Sequence, residues 1–176
     1  SADGTTLYYC PSASTGTFRI PEGVTTISDR ACSDCKALQN IEIPSTVTAI
    51  GEDAFYGCEK LKRIELPEKM STIENSLFDE CQALESVIIP DGITKIGSAA
   101  FYRCRSLESI VLPDSITEIG SSAFSECNHL KSIVLPNNVT TIGGFRESSL
   151  ETFSIPHGVQ EIEYGSFSYC RKLKHI

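Results

Sequence analysis

Apolar positions recur along this chain in a fixed order with a long, constant period. An Ile-Pro or Leu-Pro pair opens each copy, at Ile20, Ile43, Leu66, Ile89, Leu112, Leu135 and Ile155. The first five intervals are 23 residues and the last is 20. The unit reads h-P-x-x-h-T-x-I-G-x-x-A-F-x-x-C-x-x-L-x-x-I-x, with h apolar, and residues 89–111 (IPDGITKIGSAAFYRCRSLESIV) carry it in full. A period between about 20 and 50 residues marks a solenoid, in which each unit buries its apolar face only against its neighbours.

Within a unit the periodicity changes three times. The segment L-x-x-I-x-h-P, as in residues 107–113, alternates at period two and predicts a strand ended by Pro, which cannot donate to a ladder. Turn residues follow, such as Asp91-Gly92 and Asn137-Asn138, and then a second short strand, V/I-T-x-I-G. The x-x-A-F-x-x-C segment has the spacing of one helical turn. The expected fold is therefore an α/β solenoid of about seven coils. A parallel sheet forms its main face, with short second strands and short helical turns opposite. Residues 1–19 form a separate N-terminal cap, where Leu7–Cys10 and Thr17–Ile20 flank a Pro/Ser/Gly stretch and read as a β-hairpin; residues 20–176 are the solenoid.

Two units depart from the pattern. Cys32 stands where Phe55, Phe78, Phe101, Phe124 and Phe167 stand in other units. In the sixth, residues 143–149 (GGFRESS) replace the G-x-x-A-F-x-x-C-x-x segment without a Cys. The strand Glu151–Ile155 is expected to persist there while the far side narrows and the stack bends or loosens. The chain ends at Ile176 inside a strand, which suggests a fragment of a longer protein.

Charge and cysteine content narrow the chemistry. A net charge of −8 and pI near 4.9 lack the basic footprint that nucleic acid requires. No apolar run approaches the roughly 18 residues of a membrane span. Ser1-Ala2-Asp3 begins no signal peptide, although a trimmed chain would look the same. Six of the eight cysteines, Cys35, Cys58, Cys81, Cys104, Cys127 and Cys170, occupy one position of the unit. Stacked coils would line them up about 4.8 Å apart with parallel side chains, a poor geometry for disulfides. They read as a reduced, buried ladder of small hydrophobes. Cys32 and Cys35 also spell C-x-x-C, but no second C-x-x-C or His pair completes a metal site. A disulfide from Cys10 to Cys32 or Cys35 is the more plausible chemistry there. His129, His157 and His175 fall at different unit positions, so no shared cluster is expected. Asn138-Val139-Thr140 is a glycosylation sequon on a predicted turn.

Strand alternation assigns the outward columns of the main sheet. One runs Asn40, Arg63, Ser86, Ser109, Ser132, Thr152, His175, and its neighbour Glu42, Glu65, Ile88, Val111, Val134, Ser154. Ile88, Val111 and Val134 form an outward apolar strip with two readings: β-branched pairs stabilising a sheet, or a surface for a partner. Arg63, Glu65, Ser86, Ser109 and Ser132 complete the candidate ligand-binding set. Glu42 and Glu65 stack like charges, which Lys62 and Arg63 are placed to offset.

The string I-P-x-x-V-T-x-I-G-x-x-A-F-x-x-C-x-x-L resembles the BspA-like, treponemal class of leucine-rich repeats, over residues 20–176, and the leading Leu7-Tyr8-Tyr9 and Thr17-Phe18-Arg19-Ile20-Pro21 resemble its usual start. Cys32, Leu77 in the Ala slot and the short sixth unit depart from it. The resemblance implies a leucine-rich-repeat solenoid, a right-handed horseshoe or arc, secreted or on the cell surface. It also implies adhesion to host or microbial ligands, extracellular-matrix proteins among them, and no shared catalytic residues or cofactor. No nucleophile, acid–base pair or phosphate loop is visible in the sequence. The expected function is a non-catalytic module that binds protein or glycan through the main face. The alternative is a structural spacer or scaffold, which predicts a uniformly polar surface.

Overall fold

A computed structural model describes residues 4–11 and 15–175. In chain order the strands are β1 (Thr6–Leu7), β2 (Gly16–Arg19), β3 (Thr26–Ile27), β4 (Leu38–Glu42), β5 (Ala49–Ile50) and β6 (Arg63–Glu65), then β7 (Thr72–Ile73), β8 (Ser86–Ile88), β9 (Lys95–Ile96), β10 (Glu118–Ile119), β11 (Thr141–Ile142) and β12 (Glu161–Ile162). Every pairing is parallel, as coils wound in one direction require. The main sheet is β2-β4-β6-β8; the second strands form β1-β3-β5 and β7-β9-β10-β11-β12. The result is a β-solenoid of about seven turns.

Three expectations are corrected by this architecture. The first is the hairpin. β1 and β2 do not pair with each other: β1 pairs with β3, one coil on, and β2 with β4. Pairing along the stack gives β1 a partner of its own length in β3, and gives β2 the five-residue β4, longer than the two residues β1 would offer. The segment thus adds a partial coil to the stack.

The second is the helical turn. No helix occurs among the described residues, so none is long and apolar enough to cross a membrane. Each unit instead holds two residues with positive φ, four apart in full units: Asp53 and Gly57, Ser76 and Glu80, Ala99 and Arg103, Ser122 and Glu126. A non-glycine residue in this left-handed region costs on the order of 1 kcal/mol. What offsets it is a third ladder. The conformation turns alternate N–H groups along the stack, so Phe55 N–H reaches Leu77 O at 3.1 Å, Phe78 reaches Ala100 at 2.8 Å and Phe101 reaches Ala123 at 2.8 Å. A helix would spend those donors inside its own coil.

The third concerns the main sheet, which was expected to continue through every coil. Residues 109–111 and 132–134 make no ladder hydrogen bonds; the next tie on this face is Glu151 N–H to Lys131 O at 2.9 Å, and strand-like pairing resumes at the bridge Thr152↔His175. Those coils remain tied through β9-β10-β11-β12 and the turn ladder, so the main face is free to leave hydrogen-bond geometry there. The second sheet has its own break, between β5 and β7, at a level where β4-β6 and the turn ladder hold.

Inside, side chains stack in columns. Phe55, Phe78, Phe101, Phe124, Phe145 and Phe167 lie face to face, with centroids 5.2–5.7 Å apart. The short sixth coil therefore keeps its Phe slot. Gly144 makes the shortcut possible: its φ is +83°, and a Cβ there would sit 2.5 Å from Ala123 N. Phe153 stands where other coils carry Ile41, Ile64, Ile110 and Ile133 and packs edge-on against Phe145 (5.3 Å) and Phe167 (4.7 Å). Its larger side chain reaches both rings across the shortened coil.

The cysteine ladder is inside as well, and all eight cysteines are thiols. From Cys58 onward each ladder thiol donates to the carbonyl of the Phe slot one coil earlier: Cys81 to Phe55 (3.1 Å), Cys104 to Phe78 (3.2 Å), Cys127 to Phe101 (3.2 Å). Burial raises the pKa of Cys58, Cys81, Cys104 and Cys127, which keeps them protonated donors. In the sixth coil Ser148 takes the slot, its Oγ 3.3 Å from Cys170 Sγ. Near the start, Cys32 is raised first by its hydrogen bond with the Cys10 thiol, and Cys35 is pushed up to about 12, first by burial.

Candidate functional site

Period-two alternation places the candidate side chains outside because their strand neighbours are core. Ile64, Val87, Ile110 and Ile133 point inward and are buried, so Arg63, Glu65, Ser86, Ile88, Ser109, Val111, Ser132 and Val134 all face solvent. β6 and β8 hold the first four in register, Arg63 opposite Ser86 and Glu65 opposite Ile88. The apolar strip is strongly exposed: Ile88 at 60%, Val111 and Val134 at 83%.

Exposure of that degree separates the two readings of the strip. Cross-strand pairs stabilise a sheet by packing on one another across a hydrogen-bonded ladder. Val111 and Val134 stand on the segments without ladder bonds and retain most of their surface in water. Their β-branched shape therefore contributes little to the stack.

Beside them lies an open groove of about 450 Å³ that runs from Val111 and Leu112 past Val134 and Pro136 to Ile155 and His157. Its floor is the h-P-x-x corner that follows each main strand. Reading by strand columns missed Asp114, Ile155 and His157. The signal was available one step past the Pro, where the same position recurs every coil and its side chains line up behind the strip. The groove pairs apolar walls with the polar groups of Asp114, Asn137, Ser154 and His157.

The electrostatics at the other end differ from expectation. Glu42 is offset by Arg19 of the preceding coil at 2.7 Å, not by Lys62 or Arg63. Both partners are well exposed, so the pair contributes roughly 0–1 kcal/mol. Similar coil-to-coil pairs, Lys36–Glu59 and Lys95–Glu118, mark other faces. Asn138 of the sequon is exposed, and its side-chain amide donates to Asp114 O at 2.9 Å.

Comparison with known proteins places this geometry. A family model described as the BspA type leucine rich repeat region matches in six copies, over residues 4–111 and 48–174. A leucine-rich repeat protein from Bacteroides ovatus superposes with a TM-score of 0.86 at 29% identity, covering 97% of this chain and 47% of that one. The leucine-rich repeat protein of T. pallidum gives 0.71 at 31% identity, covering 90% and 78%. One from Eubacterium ventriosum gives 0.79 at 28%, covering 95% and 46%. The chain thus spans about half the length of the Bacteroides ovatus structure it matches. A search of curated proteins finds no match.

Proposed function

Because the chain belongs to the BspA-type leucine-rich repeat family, whose repeats are generally non-catalytic modules for binding or scaffolding, we propose that it binds a protein ligand through the main face, outside the cell or on its surface. The observation that carries this is the strip Ile88–Val111–Val134 on three consecutive coils, exposed beside its groove. A spacer has no use for such a strip, since contiguous exposed apolar surface marks interaction on a soluble protein. A partner would set an apolar or aromatic anchor against Val111 and Val134 and hydrogen-bond to Arg63, Ser86, Ser109 and Ser132 at the rim. Residues 1–19 serve in the same reading as the cap of the solenoid that begins at residue 20.

Val111→Lys is the test, with wild type and variant compared against an immobilised panel of extracellular-matrix proteins. A buried, unpaired charge at the centre of the contact is expected to weaken any binding that wild type shows by roughly 2 kcal/mol or more, about 30-fold. Stability should move by no more than about 0.5 kcal/mol, because the side chain is on the surface. Unchanged affinity would remove the strip as the site, and a collapsed fold would show Val111 to be core.

A further inference from the structure

The shortened sixth coil leaves a recess in the turn face. Three open cavities of about 430, 450 and 300 Å³ adjoin there, and Arg146 lines all of them. Arg146 occupies this central place because coil six reaches it directly from Gly144-Phe145, without the longer turn of its neighbours. None of the residues around the recess lines the main-face groove.

Two buried polar atoms point to a ligand. Ser125 is 2% exposed, its hydroxyl has no hydrogen-bond partner, and it lines two of the three cavities. Asp79 Oδ1 is also buried without a partner and lines the smallest cavity. Buried polar groups are almost always satisfied in native proteins, so unsatisfied atoms on residues that line a cavity point to partners supplied from outside. Asp79 is pushed up to about 6, first by burial and then by the charge of Glu80.

The lining selects the kind of ligand. An ammonium group would meet the Arg146 guanidinium at the centre. Arg171 and Lys172 make the cavity beside Glu147 basic, but an anion spanning the recess would leave it to meet Asp79 and Glu126 on one side and Glu163 on the other. A neutral polyhydroxylated ring avoids both, because each hydroxyl donates to a carboxylate and accepts from a guanidinium or a serine. Tyr164 is fully exposed, and Tyr169 is 62% exposed with the Arg146 guanidinium 5.4 Å from its ring centroid. Such rings offer flat apolar faces to the C–H side of a sugar while their hydroxyls stay wet. We propose that the recess at the sixth coil is a binding site for a neutral oligosaccharide, separate from the protein-binding strip.

The test is calorimetric titration of the protein with three uncharged hexasaccharides (cellohexaose, maltohexaose and chitohexaose), with a cationic glucosamine hexamer and an anionic hyaluronan hexamer as charge controls. At least one uncharged hexamer should bind. Ser125→Ala should weaken it about tenfold or more, because a hydrogen bond made only with the ligand is lost. The same variant should melt at or above the wild-type temperature, since the deleted hydroxyl has no partner in the protein. Tyr164→Ala, on a fully exposed residue, should weaken binding without touching the fold, and Val111→Lys should leave it unchanged. The proposal is overturned if only charged hexamers bind, if none binds, or if Ser125→Ala and Tyr164→Ala bind as wild type. A fall in melting temperature for Ser125→Ala would also overturn it, by giving the hydroxyl a structural role.

Discussion

Phe101→Ala is expected to destabilise the protein by about 3–5 kcal/mol, the usual range for truncating a core Phe. The ring is fully buried and stacked on both sides, 5.4 Å from Phe78 and 5.2 Å from Phe124. Ala therefore removes two ring contacts and leaves a cavity that rigid coils cannot close, because the turn ladder fixes their spacing on either side. Since units touch only their neighbours, the loss falls on the junction between coils 3 and 5. Denaturant unfolding followed by tyrosine fluorescence should show an earlier and less cooperative transition. A change below about 1 kcal/mol would mean that the ring is not part of the core.

Phe153→Ala is the second large effect, expected at about 3 kcal/mol. This ring joins the short sixth coil to the seventh through its edge contacts with Phe145 and Phe167. Phe153→Ile restores the residue type of the other coils and is the sharper comparison. If Phe153 compensates for the deletion, Ile should recover part of the stability and still fall about 1 kcal/mol or more short of wild type. Full recovery by Ile would show that the sixth coil needs no extra volume.

The repeat made much of this legible in advance. Its period gave the stack, and its alternation put Val87 and Ile110 inside and Ile88 and Val111 outside. The Phe and Cys columns followed from their recurrence. What stayed hidden depended on contacts between coils. Ala, Phe and Cys at the spacing of a helical turn are equally compatible with two left-handed turns. At most of those turns Asp, Ser, Ala, Arg or Glu stands where a glycine, as at Gly57, would have signalled the conformation. Only the demand of the next coil for its N–H groups decides between the two. The leading runs looked like a hairpin for the same reason, since their partners lie about 20 residues onward, as in Thr6↔Thr26 and Phe18↔Ile41. The recess could not be read from any motif. It arises from three missing residues, and its lining comes from several coils.

The absence of ladder bonds beneath Val111 and Val134 separates this account from a uniform solenoid, and amide hydrogen exchange tests it residue by residue. The turn-ladder amides of Phe78, Phe101 and Phe124, together with those by which β6 and β8 pair with each other, should exchange slowly. The amides of Ile110, Val111, Ile133 and Val134 should exchange much faster, although their coils lie in the middle of the stack. Equal protection of Val111, Val134 and Ile88 would contradict the account, because the main sheet would then be continuous and the exposed strip part of its stabilising surface.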